Sequence, residues 1–184
     1  LGLVWLISDN LGTRQALLRD RGMRSHSIDL RNIAGRPAFE RVLRDLVSQR
    51  PVLLWFRVQG CASAADSRLD RRLSWFVHRL ASEQVACGRD VIFEGSIQVS
   101  GWNLEGISSV VQTLDSARMF WCGMSLQVHR CTRVASTLPF RSVECACSGS
   151  RRSDSSERNE VQLIVDFVSA LNALVLKQLQ TLRG

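Results

Sequence analysis

The sequence predicts an α/β fold, a doubly wound, mostly parallel sheet with helices on both faces and an antiparallel C-terminal edge. Short apolar runs alternate with segments of helical periodicity through the N-terminal part of the chain. This alternation favours parallel strands joined by crossover helices. The later segments are short and joined by turns, which indicates antiparallel pairing. The 184 residues and 45% hydrophobic fraction suffice for one domain with its own core.

The first predicted strand is the apolar run from Leu3 to Ile7, and a polar turn, residues 8–10, follows it. Residues 11–21 are predicted to be helical, and residues 26–30 form a second short strand. Residues 38–50 form an amphipathic helix, because their apolar positions recur at i, i+3, i+4 and i+7. The stripe comprises Phe39, Val42, Leu43, Leu46 and Val47.

The next strand, residues 52–56, follows Pro51, which ends the preceding helix. A helix over residues 69–86 and a strand ending at Glu94 come next, with Cys61 in the loop between the first of these strands and the helix. The inner face of the helix is predicted from Leu69, Leu73, Phe76, Val77, Leu80 and Ala81.

The C-terminal part continues with a short helix over residues 107–114 and then short strands. The strands are predicted at residues 119–121, 125–131, 132–136 and 141–147. The chain therefore divides into an α/β core over residues 1–147, a polar Ser/Arg linker over 148–159, and a C-terminal helix over 160–184 that packs on the core.

A cysteine and a carboxylate follow two neighbouring strands of this predicted sheet. Reactive groups in open α/β sheets gather beyond the carboxyl ends of the strands, so we expect Cys61 and Glu94 to lie close together. A thiolate nucleophile needs nearby positive charge, which Arg57, Arg68 or Arg89 would supply. The alternative interpretation is a buried structural cysteine and a capping carboxylate.

The order of these segments resembles a known family. A strand and loop contain SDNLG, a second strand contains SIDL, and the third leads to VQGCAS. ASEQVACGRDVIFEG, SGW, FWCGMSL and CTRVAST follow. This order is similar to that of the cytosine-5 DNA methyltransferase-like domain found inside some retroelement polyproteins, and the resemblance covers nearly the whole chain.

The resemblance implies roles for individual residues. Cys61 matches the nucleophile that attacks the cytosine ring, and Glu94 matches the acid that holds the ring nitrogen of a flipped base. Asp29 matches the acid on the ribose of S-adenosylmethionine. The loop after the first strand would complete the cofactor site, through Ser8, Asp9 and Gly12.

The sequence departs from the family pattern at its most characteristic positions. Gly60 stands where the family has proline, and Gly95 and Ser96 replace the usual asparagine or histidine and proline. These departures favour a degenerate methyltransferase-like domain that acts as a binding or scaffold module. An active cytosine-5 methyltransferase on DNA or RNA is the alternative, and a structural subunit of a nucleoprotein assembly with arginine-mediated RNA contacts is a third.

The charge balance indicates polyanionic partners. The net charge is +7, and all basic residues except Lys177 are arginine, which suits bidentate phosphate contacts. The candidate nucleic-acid residues are Arg57, Arg68, Arg71, Arg72 and Arg89. The base composition of the genome would equally account for so many arginines. Protein neighbours in a larger polypeptide or assembly are the other expected partners.

Six cysteines in a chain with an apolar core indicate an intracellular protein with mostly reduced, buried thiols. No apolar run approaches the length of a membrane span, so no membrane association is expected. His129, Cys131, Cys145 and Cys147 are weak candidates for a zinc site, because their spacing is unusual for structural zinc. We therefore predict no metal.

Overall fold

The structure, a computed structural model, describes residues 3–7, 24–29, 33, 35–58, 67–120, 131–142 and 173. Several predictions from the sequence fall elsewhere in the chain and lie outside the described residues. They are the helix at residues 11–21, the strand at 125–131 apart from Cys131, the linker at 148–159 and the helix at 160–184 apart from residue 173, which is helical.

The described part of the chain forms one mixed sheet, in the order β2-β1-β3-β4-β6-β5. The first four strands of that order are parallel, β6 is antiparallel to β4, and β5 is antiparallel to β6. The α/β class, the mostly parallel sheet and the antiparallel edge are thereby confirmed. The strands are β1 (Leu3–Ile7), β2 (Arg24–Ile28), β3 (Leu53–Arg57), β4 (Asp90–Ser96), β5 (Asp115–Phe120) and β6 (Cys131–Ser136).

Three α-helices connect the described strands. They are α1 (Gly35–Gln49), α2 (Ser67–Ala86) and α3 (Glu105–Val111), with a short 3₁₀ helix (Ser100–Asn103) before α3. Helix α1 ends where Arg50 adopts a left-handed φ of 47°, one residue before Pro51. Among the described residues, no helix combines the length and apolar character that crossing a membrane requires.

The described helices pack on one side of the sheet, which we call the helical face. It carries Trp5, Leu54, Phe56, Val91 and Phe93, which form one buried cluster with apolar residues of α1, α2 and α3. The rings of Phe56 and Phe93 stack across β3 and β4 with centroids 4.6 Å apart. Right-handed crossovers account for this arrangement, since β2 to β3 and β3 to β4 both move the same way across the sheet.

The opposite face of the sheet is buried just as deeply. Val4, Leu6, Leu53, Trp55 and Ile92 are each no more than 1% exposed. Burial on both faces explains why the parallel strands read as continuous apolar runs. The second layer of helices predicted from the sequence stays a prediction, because the described helices all lie on the helical face.

The structure corrects several details of the sequence analysis. Val47, predicted on the inner stripe of α1, is 49% exposed. Strand β4 continues two residues beyond Glu94, because Gly95 and Ser96 pair with β6. Strand β5 begins at Asp115 and not at residue 119, and residues 141–142 are not in a strand. These differences arise from long-range pairing and packing.

Candidate functional site

The carboxyl ends of β3 and β4 meet as predicted. The two strands pair in parallel, with Arg57 opposite Glu94. The pairing extends one residue further, since the Val58 N–H donates to the Glu94 carbonyl oxygen at 2.7 Å. Cys61 lies outside the described residues, so its approach to Glu94 stays a prediction. The structure nevertheless brings the two strands that precede and carry these residues into direct contact.

Glu94 is a buried carboxylate on a central strand. It is 2% exposed, and its register partners are Arg57 on β3 and Val134 on β6. Register partners point to the same face of a sheet, so these three side chains share the face opposite the helical face. The Glu94 carboxylate is therefore buried in the protein interior and is not exposed at the end of the strands.

Gly95 follows Glu94 on β4, and its Cβ position lies on the helical face against Val58. A Cβ atom at Gly95 would lie 2.4 Å from the Val58 carbonyl oxygen and 3.1 Å from the Val58 Cβ. Real side chains do not approach backbone that closely, so only glycine fits between β3 and β4 at this point. The position where the resembling family has asparagine or histidine is therefore sterically closed in this chain.

Trp102 is held in place at the carboxyl end of β4. Its indole Nε1 donates to the Ser96 carbonyl oxygen at 2.9 Å, and only 6% of the residue is exposed. The Arg133 guanidinium lies over the indole, 4.9 Å from its centroid. This cation–π contact orients a half-buried arginine at the junction of β4 and β6.

Asp29 is the predicted cofactor residue that the structure describes. It directly follows β2, where Ile28 pairs with Ile7 at the end of β1, and it is half-buried. This is the edge at which a doubly wound sheet binds ligands. A contact between Asp29 and the ribose of S-adenosylmethionine stays a prediction. The other predicted cofactor residues, Ser8, Asp9 and Gly12, lie outside the described residues.

The five predicted nucleic-acid arginines divide between the two ends of the strands. Arg57 is half-buried at the carboxyl end of β3, and Arg68, Arg71 and Arg72 lie in the first part of α2, which follows that end. Arg89 precedes β4 at its amino end, roughly 16 Å along the strand from Glu94. Four of these residues therefore lie at the carboxyl end of β3 or in the helix that follows it. Arg89 lies at the opposite, amino end of the strands.

Gln84, a helix residue in the family resemblance, lies at the same amino end as Arg89. Its Nε2 donates to the Pro51 carbonyl at 2.8 Å and to the Asp90 carbonyl at 3.3 Å. The buried amide therefore ties α2 to the segments that begin β3 and β4. This contact gives Gln84 a structural role away from Glu94.

Of the four weak zinc candidates, the structure describes only Cys131, a half-buried free thiol at the start of β6. His129, Cys145 and Cys147 lie outside the described residues. Within the described ranges, no group of three or more histidine, cysteine or acidic residues could hold a metal ion. Cys87 is the other described free thiol, and it is exposed, contrary to the expectation of buried thiols.

The sequence analysis missed a second basic cluster on the antiparallel edge. Arg118 on β5 lies directly opposite Arg133 on β6, so both point to the helical face. The Arg118 N–H donates to Ser142 Oγ at 3.1 Å, which brings the segment containing Arg141 against β5. The alternation of polar and apolar residues along β5 is the sequence signal for this strand, but it does not give the register of the pairing with β6.

No protein-family model matches the sequence, and no curated protein matches it. Among solved structures, the chain is similar to the crystal structure of the Dnmt2 methyltransferase of S. pombe, with 8% sequence identity and a TM-score of 0.43. The similarity covers 76% of this chain and 52% of that one, so this chain spans about half the length of that structure. The fold assignment depends on the strand order itself and not on this likeness.

Proposed function

We propose that this chain is a degenerate methyltransferase-like domain that binds nucleic acid as a binding or scaffold module and does not transfer methyl groups. The observation that carries the proposal is the lack of space for a side chain at Gly95, the β4 position directly after Glu94. The cytosine-5 family resemblance requires asparagine or histidine there, and a Cβ would meet the Val58 carbonyl oxygen at 2.4 Å. The backbone packing of this chain therefore excludes the side chain that the family has directly after the acid.

The burial of Glu94 supports the same conclusion. A flipped base would need its Watson–Crick edge within hydrogen-bond distance of the carboxylate. With 2% exposure, the Glu94 side chain offers almost no surface to an incoming ring. A base could reach the Glu94 carboxylate only if β3, β4 or the residues packed against them moved.

The basic surface supports nucleic acid as the partner. Arg57 lies at the carboxyl end of β3, and Arg71 and Arg72 are exposed on the following helix. With a net charge of +7, the chain favours phosphate backbones over basic or neutral molecules. The order of the sequence motifs supports an origin in a retroelement polyprotein, in which neighbouring domains would be further partners.

An active methyltransferase is the second candidate, and the pairing of β3 with β4 favours it. That pairing keeps Glu94 next to the strand that leads to Cys61. Asp29 would accept hydrogen bonds from the ribose hydroxyls of S-adenosylmethionine, which when bound supplies an electrophilic methyl group. In this candidate Cys61 forms the bond to the cytosine ring, and Glu94 holds the ring nitrogen.

Two measurements on the full chain distinguish these candidates. The first is the affinity for short labelled RNA and DNA oligonucleotides as salt rises; the second is transfer of a labelled methyl group from S-adenosylmethionine to the same oligonucleotides. We expect binding that weakens steeply with salt, and no transfer above that of Cys61→Ser. Transfer that disappears in Cys61→Ser would establish the enzyme, and an absence of binding would overturn the proposal.

A further inference from the structure

The β5–β6 hairpin carries positive charge at unusually close range. Arg118 and Arg133 are cross-strand register partners, so their Cβ atoms lie about 5 Å apart on the helical face. Like charges directly opposite each other destabilise a sheet. Within the described part of the chain, neither guanidinium forms an ion pair with a carboxylate. An arrangement that costs stability and has no internal counter-charge fits an external anion.

One of the two arginines is already held in position. Arg133 is half-buried, stacks over Trp102 at 4.9 Å, and its Nη2 donates to Ser116 Oγ at 3.4 Å. Trp102 is itself fixed by its bond to the Ser96 carbonyl. A guanidinium held this way loses little conformational freedom when it binds a ligand, so binding is stronger for the same contacts.

The surroundings add further positive charge and hydroxyl groups. Ser142 Oγ accepts the Arg118 N–H, so the exposed Arg141 lies next in the chain to a residue in contact with β5. The sequence from 131 to 142 has no acidic residue. The guanidinium groups and serine hydroxyls of this edge match the several acceptor oxygens of a phosphodiester, whereas a single carboxylate would pair with only one guanidinium.

We propose that Arg118 and Arg133, with Arg141 beside them, form a phosphodiester-binding site for a nucleic-acid strand on the β5–β6 edge. We call this the hairpin arginine site. The inference rests on the proposed function, because it names where the nucleic acid binds. It locates the contact on the opposite face of the sheet from Glu94 and Arg57. Nucleic acid held there is bound without entry of a base into the β3–β4 edge.

The test compares two variants with the same loss of charge. Arg118→Gln/Arg133→Gln removes the site, and Arg41→Gln/Arg44→Gln is the matched control on α1. The control helix packs near β1, roughly 19 Å across the sheet from β5. Affinity for labelled single-stranded RNA and DNA of one sequence is measured against salt concentration. We expect the site variant to bind about tenfold more weakly and to lose about 1 to 2 from its salt slope, and the control to change less than about twofold.

The other possible outcomes distinguish a failure of the inference from a failure of the proposed function. If the unaltered chain binds neither nucleic acid, the proposed function fails together with the inference. If it binds and both double variants weaken equally, the hairpin arginine site is wrong and the proposed function stands. If polyglutamate displaces the strand at equal charge concentration, the site is one for acidic protein surfaces and the inference is overturned. Should the double variant unfold, Arg118→Gln alone, which changes an exposed side chain, is expected to weaken binding about threefold.

Discussion

The parallel and antiparallel halves of the sheet differ in how far their side chains are buried. Strands β1, β3 and β4 are apolar on both faces, and nearly all of their side chains are buried. Strand β5 instead alternates, with Ala117 and Met119 buried and Ser116 and Arg118 exposed. One half of the sheet therefore specifies the fold, while the other keeps a charged surface available. Under the proposed function, the first half maintains the fold and the second supplies the binding surface.

Removing a large ring from the parallel half is expected to have the largest effect on stability. Phe93→Ala should lower the free energy of unfolding by about 3 to 5 kcal/mol, because Phe93 is fully buried and stacks on Phe56. Phe120→Ala, in the half-buried end of β5, is the matched control and should cost less than half as much. Urea unfolding measures both, and equal losses would contradict the division between the halves.

Filling the closed position of the site is the next largest perturbation. Gly95→Ala should destabilise the chain by about 2 to 3 kcal/mol, because the new Cβ meets the Val58 carbonyl oxygen. Gly88→Ala is the control, since nothing lies within 4 Å of its Cβ and only its φ of 67° is unfavourable. That variant should cost about 1 kcal/mol. A Gly95→Ala protein as stable as the unaltered chain would mean that the site is open to side chains.

The sequence predicted the parallel half well because its signal is local. Continuous apolar runs bounded by turns locate Leu3–Ile7, Leu53–Arg57 and Asp90–Ser96 to within a few residues. The amphipathic spacing of α1 and α2 likewise gave both helices. The contact between β3 and β4 followed from general rules about crossovers, so the neighbourhood of Glu94 was predictable in outline.

The antiparallel half was harder because its features depend on pairing. The polar start of β5 at Asp115 has no local strand signal, and the strand forms because it pairs with β6. The same pairing extends β4 past Glu94. The opposition of Arg118 and Arg133 follows from one register among several, since a shift by one residue would send one of them to the other face.

A hydrogen bond that joins the two halves gives a moderate effect. Ser136 on β6 donates from its Oγ to the Val91 carbonyl at 2.9 Å and accepts from the Leu138 N–H at 2.9 Å. Ser136→Ala should cost about 1 to 2 kcal/mol, because both groups lose a buried partner. Ser116→Ala, at an exposed position on β5, should cost less than about 0.5 kcal/mol. Thermal melts of the two variants measure the difference, and a reversed order would refute it.

The smallest expected effect concerns stability at the hairpin arginine site. Arg118→Gln should leave the melting temperature unchanged or slightly higher, because it relieves the repulsion with Arg133. Arg24→Gln, an exposed arginine on the opposite edge strand, is the matched control and should change nothing. A clear loss of stability in Arg118→Gln alone would indicate that the side chain is structural.

Methyl transfer at saturating oligonucleotide tests the central claim most directly. The chain is mixed with labelled S-adenosylmethionine and with enough RNA or DNA to occupy its nucleic-acid site fully, and incorporation is compared with Cys61→Ser. The account predicts a bound complex with incorporation no higher than in that variant, since Glu94 is buried and the β4 position after it admits no side chain. Incorporation that depends on Cys61 would contradict it.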